Sequence, residues 1–175
     1  MELNVIQRDS RTDQPWYAAG LTFTCSQCGN CCTGGPGYVW ISNVEIDRLA
    51  EHLKIPRKQV IERYCRKVEG KYSLKEHRNA QGLYDCTFLK EVKVASEGNG
   101  DQVVHTKRIC TVYPVRPLQC RTWPFWSENL ASPDRWNRSA VRCPGMNRGG
   151  RTFTREQIEA LRDAKDWPQA PPTSG

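Results

Sequence analysis

The stretch Cys25-Ser26-Gln27-Cys28-Gly29-Asn30-Cys31-Cys32 puts four cysteines into eight residues. A Cys-x2-Cys bite suits a tetrahedral metal, because two thiolates converge from one tight turn. Two such bites overlap here, at 25/28 and 28/31, and Gly29 supplies the backbone freedom between them. Working outward, the other cysteines are Cys65, Cys86, Cys110, Cys120 and Cys143. Cys65 falls on the inward face of an expected helix, where a packed thiol is the ordinary reading. The doublet Cys31-Cys32 adds a constraint. Neighbouring side chains point to opposite faces of a strand and diverge by about 100° on a helix. Both are then poorly placed to bind one ion, so two metals or a metal cluster are expected. Eight thiols divide into two sets of four in about 35 ways, and spacing alone does not choose.

Composition says why metal matters. Of the 175 residues, Leu, Ile, Val and Phe make up about 19%, at the roughly 20% mark below which a core is hard to build. A large α/β enzyme core is excluded on that ground. Six Trp, six Tyr and four Phe exclude full disorder. The expected fold is α+β: a small, irregular, metal-stapled domain with two or three helices and a short β-hairpin. Residues 1–20 read as a polar lead-in, 21–150 as the cysteine-cluster metal-binding domain, and 151–175 as a C-terminal helix and frayed tail.

Local signals give the elements. Tyr38 to Ile41 reads as a short strand. Ser42 with Glu45 forms a capping box for a helix whose apolar face is Ile46, Leu49, Ala50 and Leu53. Pro56 opens a second helix expected to run to about Arg66, burying Val60, Ile61, Tyr64 and Cys65. Two β-prone runs, 91–95 and 102–109, flank Ser96-Glu97-Gly98-Asn99-Gly100 as an exposed hairpin. Residues 110–150 show no period. Thr154 with Gln157 caps a last helix from Arg155 to about Lys165.

No apolar leader and no membrane-length apolar run are read, so a cytoplasmic, reducing location is expected. There, clustered cysteines favour metal over disulfides. The formal charge of +7 falls to about +3 if eight thiolates hold two divalent ions, so the basic balance supports nucleic acid only weakly. Metal ions are the expected partners, and a protein partner is compatible with the chain.

Zinc would give redox-silent four-thiolate sites. Iron–sulfur is the alternative, since Cys25-x2-Cys28-x2-Cys31 and Cys143-Pro144 partly match a ferredoxin run. In Tyr113-Pro-Val-Arg116-Pro-Leu-Gln-Cys120-Arg121-Thr-Trp123-Pro-Phe125-Trp126, arginines interleave with aromatics. That segment either stacks on a planar ligand or forms core and balances thiolate charge, and the second is favoured by the shortage of aliphatics. His52, His77 and His105 are isolated and read as ordinary histidines. Asp85, beside Cys86, reads equally as a turn residue or as a partner of the thiolate's neighbours.

The four groups Cys25-x2-Cys28-x2-Cys31-Cys32, Cys86-Thr-Phe-Leu, Cys110-x9-Cys120-Arg-Thr-Trp-Pro-Phe-Trp and Cys143-Pro-Gly together resemble the YkgJ-like CxxCxxCC cysteine-cluster family. The resemblance covers about residues 23–150. It implies zinc or iron binding through Cys25, Cys28, Cys31, Cys32, Cys86, Cys110, Cys120 and Cys143, with Cys65 outside the set. It implies no settled activity. Some relatives accompany a flagellin lysine N-methylase, so redox or methylase-like chemistry at an iron–sulfur cluster is one alternative. A zinc-stabilised module that binds protein or nucleic acid is the other.

Overall fold

The computed structural model describes residues 5–98 and 101–164, with the side chains of 96–98 and 101–103 left aside. The fold is α+β. In chain order come β1 (Leu21–Thr22), β2 (Thr33–Gly34), β3 (Trp40–Ile41), α1 (Asn43–Leu53) and α2 (Arg57–Tyr64). Then follow β4 (Cys65–Val68), β5 (Lys71–Leu74), β6 (Glu76–Arg78), β7 (Tyr84–Cys86), β8 (Leu89–Gly98) and β9 (Asp101–Cys110). The last are α3 (Leu118–Thr122), α4 (Ser127–Leu130), α5 (Pro133–Arg142), β10 (Thr152–Phe153) and α6 (Arg155–Asp163). The chain divides into two compact units, one from residues 27–117 and one from 5–26 with 118–164.

In the 27–117 unit, Ser42 caps α1 as expected: its hydroxyl accepts from the Glu45 N–H, and the Glu45 carboxylate accepts from the Ser42 N–H. Ile46, Leu49 and Ala50 then face a core completed by Ile41, Val60, Leu74, Phe88 and Val112. Helix α2 stops at Tyr64, short of the expected end, and Pro56 is its cap rather than its first residue. Cys65 corrects the sequence expectation. It opens strand β4 with φ −113 and ψ 151, although it is buried as expected, 5% exposed. The reason is the hairpin that follows. Glu69 (φ 47) and Gly70 (φ 81) form a two-residue left-handed turn, which matches strand twist and pairs Cys65 with Leu74. The sheets run β3-β5-β4 and β2-β7-β6, and β8 pairs with β9 as the expected hairpin.

The second unit is built on aromatics. Phe125 lies 5.7 Å from Trp136, 4.7 Å from Phe153 and 6.0 Å from Phe23, ring centroid to centroid. Tyr17, Leu130, Met146 and Ile158 fill around them. Large rings replace missing aliphatics here, each burying about 150–250 Å². Residues 5–26 contribute through Tyr17 and Phe23, and β1 pairs with β10. Helices α3, α4 and α5 fall in the stretch where the sequence shows no period. Thr154 caps α6 through the expected box with Gln157. The C-terminal tail lies outside the described residues.

Candidate metal centre

In the 27–117 unit the cysteine loop is shaped by its backbone. Gln27 (φ 54) and Gly29 (φ 75) are left-handed on either side of Cys28. A Cβ on Gly29 would lie 2.7 Å from the Leu89 Cδ1 and 3.2 Å from the Arg108 Cβ, so with φ at 75 any side chain there would be strained and would displace Leu89. The Arg108 guanidinium donates to the Asn30 side chain and ties the hairpin to the loop. A 3-10 turn, Asn30–Cys32, follows and gives way at once to extended Thr33.

That switch decides the doublet. Cys31 and Cys32 straddle the change from 3-10 turn to strand, so neither the helix nor the strand rule for neighbours holds. Their Sγ atoms are 3.9 Å apart. Two thiolates bound at about 2.3 Å to one tetrahedral ion are separated by about 3.8 Å. The doublet's spacing therefore matches one edge of such a site, a geometry that the rule for neighbours in one regular element does not foresee.

Strand pairing brings up the next thiols. Thr33 pairs with Asp85, which brings the ends of the two segments that carry Cys32 and Cys86 side by side. Asp85 accepts from the Thr33 hydroxyl and from the Asn79 amide and fixes this corner. Cys110 ends β9 opposite Leu89, and Thr111 donates to the Phe88 carbonyl at 2.9 Å, two residues from Cys86. Burial pushes the Cys86 thiol up to about 11, with further upward pushes from the Cys110, Glu76 and Cys31 charges. Cys31 goes the other way, down to about 7, through its hydrogen bond with Cys32, a backbone N–H and the Arg116 charge. Cys31, Cys32, Cys86 and Cys110 are thus neighbours. Cys28 sits one residue before Gly29 and is partly buried.

The other unit holds Cys25, Cys120 and Cys143. Thr24 donates to the Gly145 carbonyl at 3.0 Å and Phe23 bridges Met146, which runs Cys25 alongside Pro144, next to Cys143. Cys143 caps the C-terminus of α5, and Cys120 lies on α3. A Cβ on Gly145 would come within 2.1 Å of the Thr24 carbonyl oxygen. Gly145→Ala is therefore expected to prise these segments apart at a cost of about 3 kcal/mol, the upper end for overpacking. Urea unfolding checks it, and an unchanged midpoint would contradict the tight approach.

All nine cysteines are free thiols. Among the described residues, no three or more Cys, His, Asp or Glu side chains already converge as a metal's ligands do. The donor set nevertheless fits a thiophilic ion: it is all sulfur, and one sulfur pair stands at the spacing of a ligand edge. The Trp123 indole N–H is buried with no hydrogen-bond partner among the described residues, three residues from Cys120, and a metal thiolate is a suitable acceptor. The three histidines lie at exposed positions of α1, β6 and β9. Arg116 stacks on Tyr113 at 3.8 Å, and Trp126 donates to the Gln119 carbonyl. Both features serve local packing.

Cys31 and Cys65 make opposite expectations for reactivity. Burial holds the Cys65 thiol up at about 11. In metal-free, reduced protein at pH 7.5, Cys31 would be about 75% thiolate and Cys65 about 0.03%. Iodoacetamide is expected to label exposed Cys31 at least about 20-fold faster, the thiolate ratio less its nucleophilicity offset. Below pH 7 the Cys31 rate falls as its thiolate is protonated. Peptide mass mapping over time checks both statements.

A small α+β domain carrying a dense set of free thiols, four of them gathered in one unit, defines a class of cysteine-rich metal chelators. The chain belongs to the CxxCxxCC family, described as "Putative zinc- or iron-chelating domain", which it matches over residues 24–144. An uncharacterized protein of Methanocaldococcus jannaschii is 30% identical over 109 residues, which are 62% of this chain and 48% of that protein. The chain thus spans about half the length of that relative. No solved structure matches. No helix among the described residues is long and apolar enough to cross a membrane.

Proposed function

We propose that this domain chelates one zinc or iron ion in a four-thiolate site made by Cys31, Cys32, Cys86 and Cys110. The observation that carries the reading is the 3.9 Å separation of the Cys31 and Cys32 sulfurs. Two cysteines so close belong on one metal atom. A four-iron cluster gives each iron a single cysteine, whereas a mononuclear site or a two-iron cluster gives each metal two or more. Cys25, Cys28, Cys120 and Cys143 are proposed as thiolates for further metal, beyond the ion of that site. The ion's role is to hold thiolate-bearing segments together, and a cytoplasmic, reducing setting keeps them available. Binding at Cys86 releases a proton, so affinity falls as pH falls.

The test is metal and acid-labile sulfide analysis of protein purified without oxygen. The proposal expects at least one zinc or iron per chain without sulfide. Two irons and two sulfides per chain would instead select a two-iron redox cluster, which the same thiol pair also fits, and four of each would overturn the shared-atom reading. Absence of both metals would overturn the reading.

A further inference from the structure

Between Arg135 and Arg151 the chain carries Arg135, Arg138, Arg142, Arg148 and Arg151, with no lysine and no acidic residue. All five are exposed. On α5, positions 135, 138 and 142 fall within about 60° of helix face. The buried side of that helix is formed by Trp136, with Ala140 and Cys143 packed against the same core. Asn147 accepts from the Trp136 indole at 2.7 Å and donates to the Asn137 side chain at 3.2 Å. This pins the loop that carries Arg148 and Arg151 back onto α5.

Arg151 stacks over the Phe153 ring at 4.5 Å, but two ordinary explanations do not account for the helix arginines as a set. Helix electrostatics favours a cation in the last turn, where Arg142 stands, but disfavours one in the first, where Arg135 stands. Thiolate compensation would place them toward Cys143, whereas Arg138 lies about 140° round the helix from it. Val141, 84% exposed, shares the open surface.

We propose that the exposed arginine face of α5 and its 147–151 loop binds a nucleic-acid strand through the phosphate backbone. From Arg135 to Arg142 the helix rises about 10 Å, the axial length of about three successive phosphates of one strand. Guanidinium groups are the side chains suited to bidentate phosphate contact, and the exclusive use of arginine fits that chemistry. The nearby aromatics Phe125 and Trp136 are buried. The face therefore offers no base-stacking platform, and binding is indifferent to sequence. This proposal stands independently of the metal site.

Fluorescence anisotropy of the metal-loaded full chain with a fluorescein-labelled, mixed-sequence 20-nucleotide strand tests it. Saturable binding is expected at 50 mM salt, with a log–log salt slope between about −2 and −4, which is a weakening of about 16- to 250-fold at 200 mM. The double variant Arg135→Gln/Arg138→Gln should weaken binding at least about tenfold and reduce the slope by about 1–2, with metal content unchanged. Removing the same charge from exposed positions of β8, with Lys90→Gln/Lys93→Gln, should change affinity less than about threefold. No binding at 50 mM salt would overturn the proposal, as would equal losses from the two double variants. Competition by polyglutamate as effective as that by unlabelled strand, at equal charge, would also overturn it and assign the face to an acidic protein.

Discussion

Removing the metal with a strong chelator, reductant present, is expected to abolish the cooperative thermal transition and collapse the near-UV circular dichroism. The magnitudes lead to this outcome. Apolar cores in units of this size supply about 3–5 kcal/mol on their own. A structural four-thiolate ion contributes about 10–16 kcal/mol of apparent binding free energy in small zinc domains. The 27–117 unit relies on short pairings near its thiols, such as the two residues of β2 against β7. Without an ion, the segments that carry Cys31, Cys32, Cys86 and Cys110 lose the bonds that would hold them together. Unchanged melting after verified metal removal would show that the aliphatic core around Ile46 and Leu49 and the aromatic core around Phe125 and Trp136 suffice.

The second large effect separates ligand from bystander. Cys86→Ser is expected to lose the ion of the proposed site, because a serine hydroxyl stays protonated at neutral pH and three thiolates cannot close a tetrahedron. The variant should be metal-depleted by close to one equivalent and poorly soluble. Cys65→Ser is expected to keep its full metal content. Cys65 is buried in the 27–117 core at the start of β4, so the substitution costs only the burial of a hydroxyl, about 1–3 kcal/mol. Metal content of both variants decides the matter. Equal depletion would place Cys65 among the ligands and break the proposed set.

Much of the architecture was legible wherever a local chemical rule applied. Ser42 with Glu45 and Thr154 with Gln157 announce helix starts through reciprocal hydrogen bonds, and both boxes are formed. Ser132-Pro133 announces α5 by the same logic, a capping hydroxyl and a first-turn proline. Apolar periodicity does not reveal this helix, because α5 buries little beyond Trp136. Cys65 shows a different limit. Its place on a helix face followed from periodicity, but the turn at Glu69-Gly70 pulls the chain into a hairpin, and tertiary pairing overrides the local pattern. The close approach of the doublet's sulfurs was not legible, for a geometric reason. Rules for neighbouring side chains presume one regular element, and Cys31-Cys32 sits where two elements meet.

The gathering of Cys86 and Cys110 near the doublet was not legible from spacing, because it depends on β2 pairing with β7 and on the β8–β9 register. The aromatic-rich segment was legible in kind. Phe125 is core, as a shortage of aliphatics demands, and Arg116 lies close enough to Cys31 to lower its thiol, as charge balance requires.

The central claim is that Cys31 and Cys32 bind the same metal atom. X-ray absorption at the metal edge of anaerobically purified protein, compared with a Cys32→Ser variant, tests it most directly. The account predicts sulfur scatterers at about 2.3 Å, close to four per metal, with no metal–metal distance, and loss of that metal in the variant. A first shell dominated by oxygen or nitrogen, or a Cys32→Ser variant with its sulfur shell and metal content intact, would contradict it.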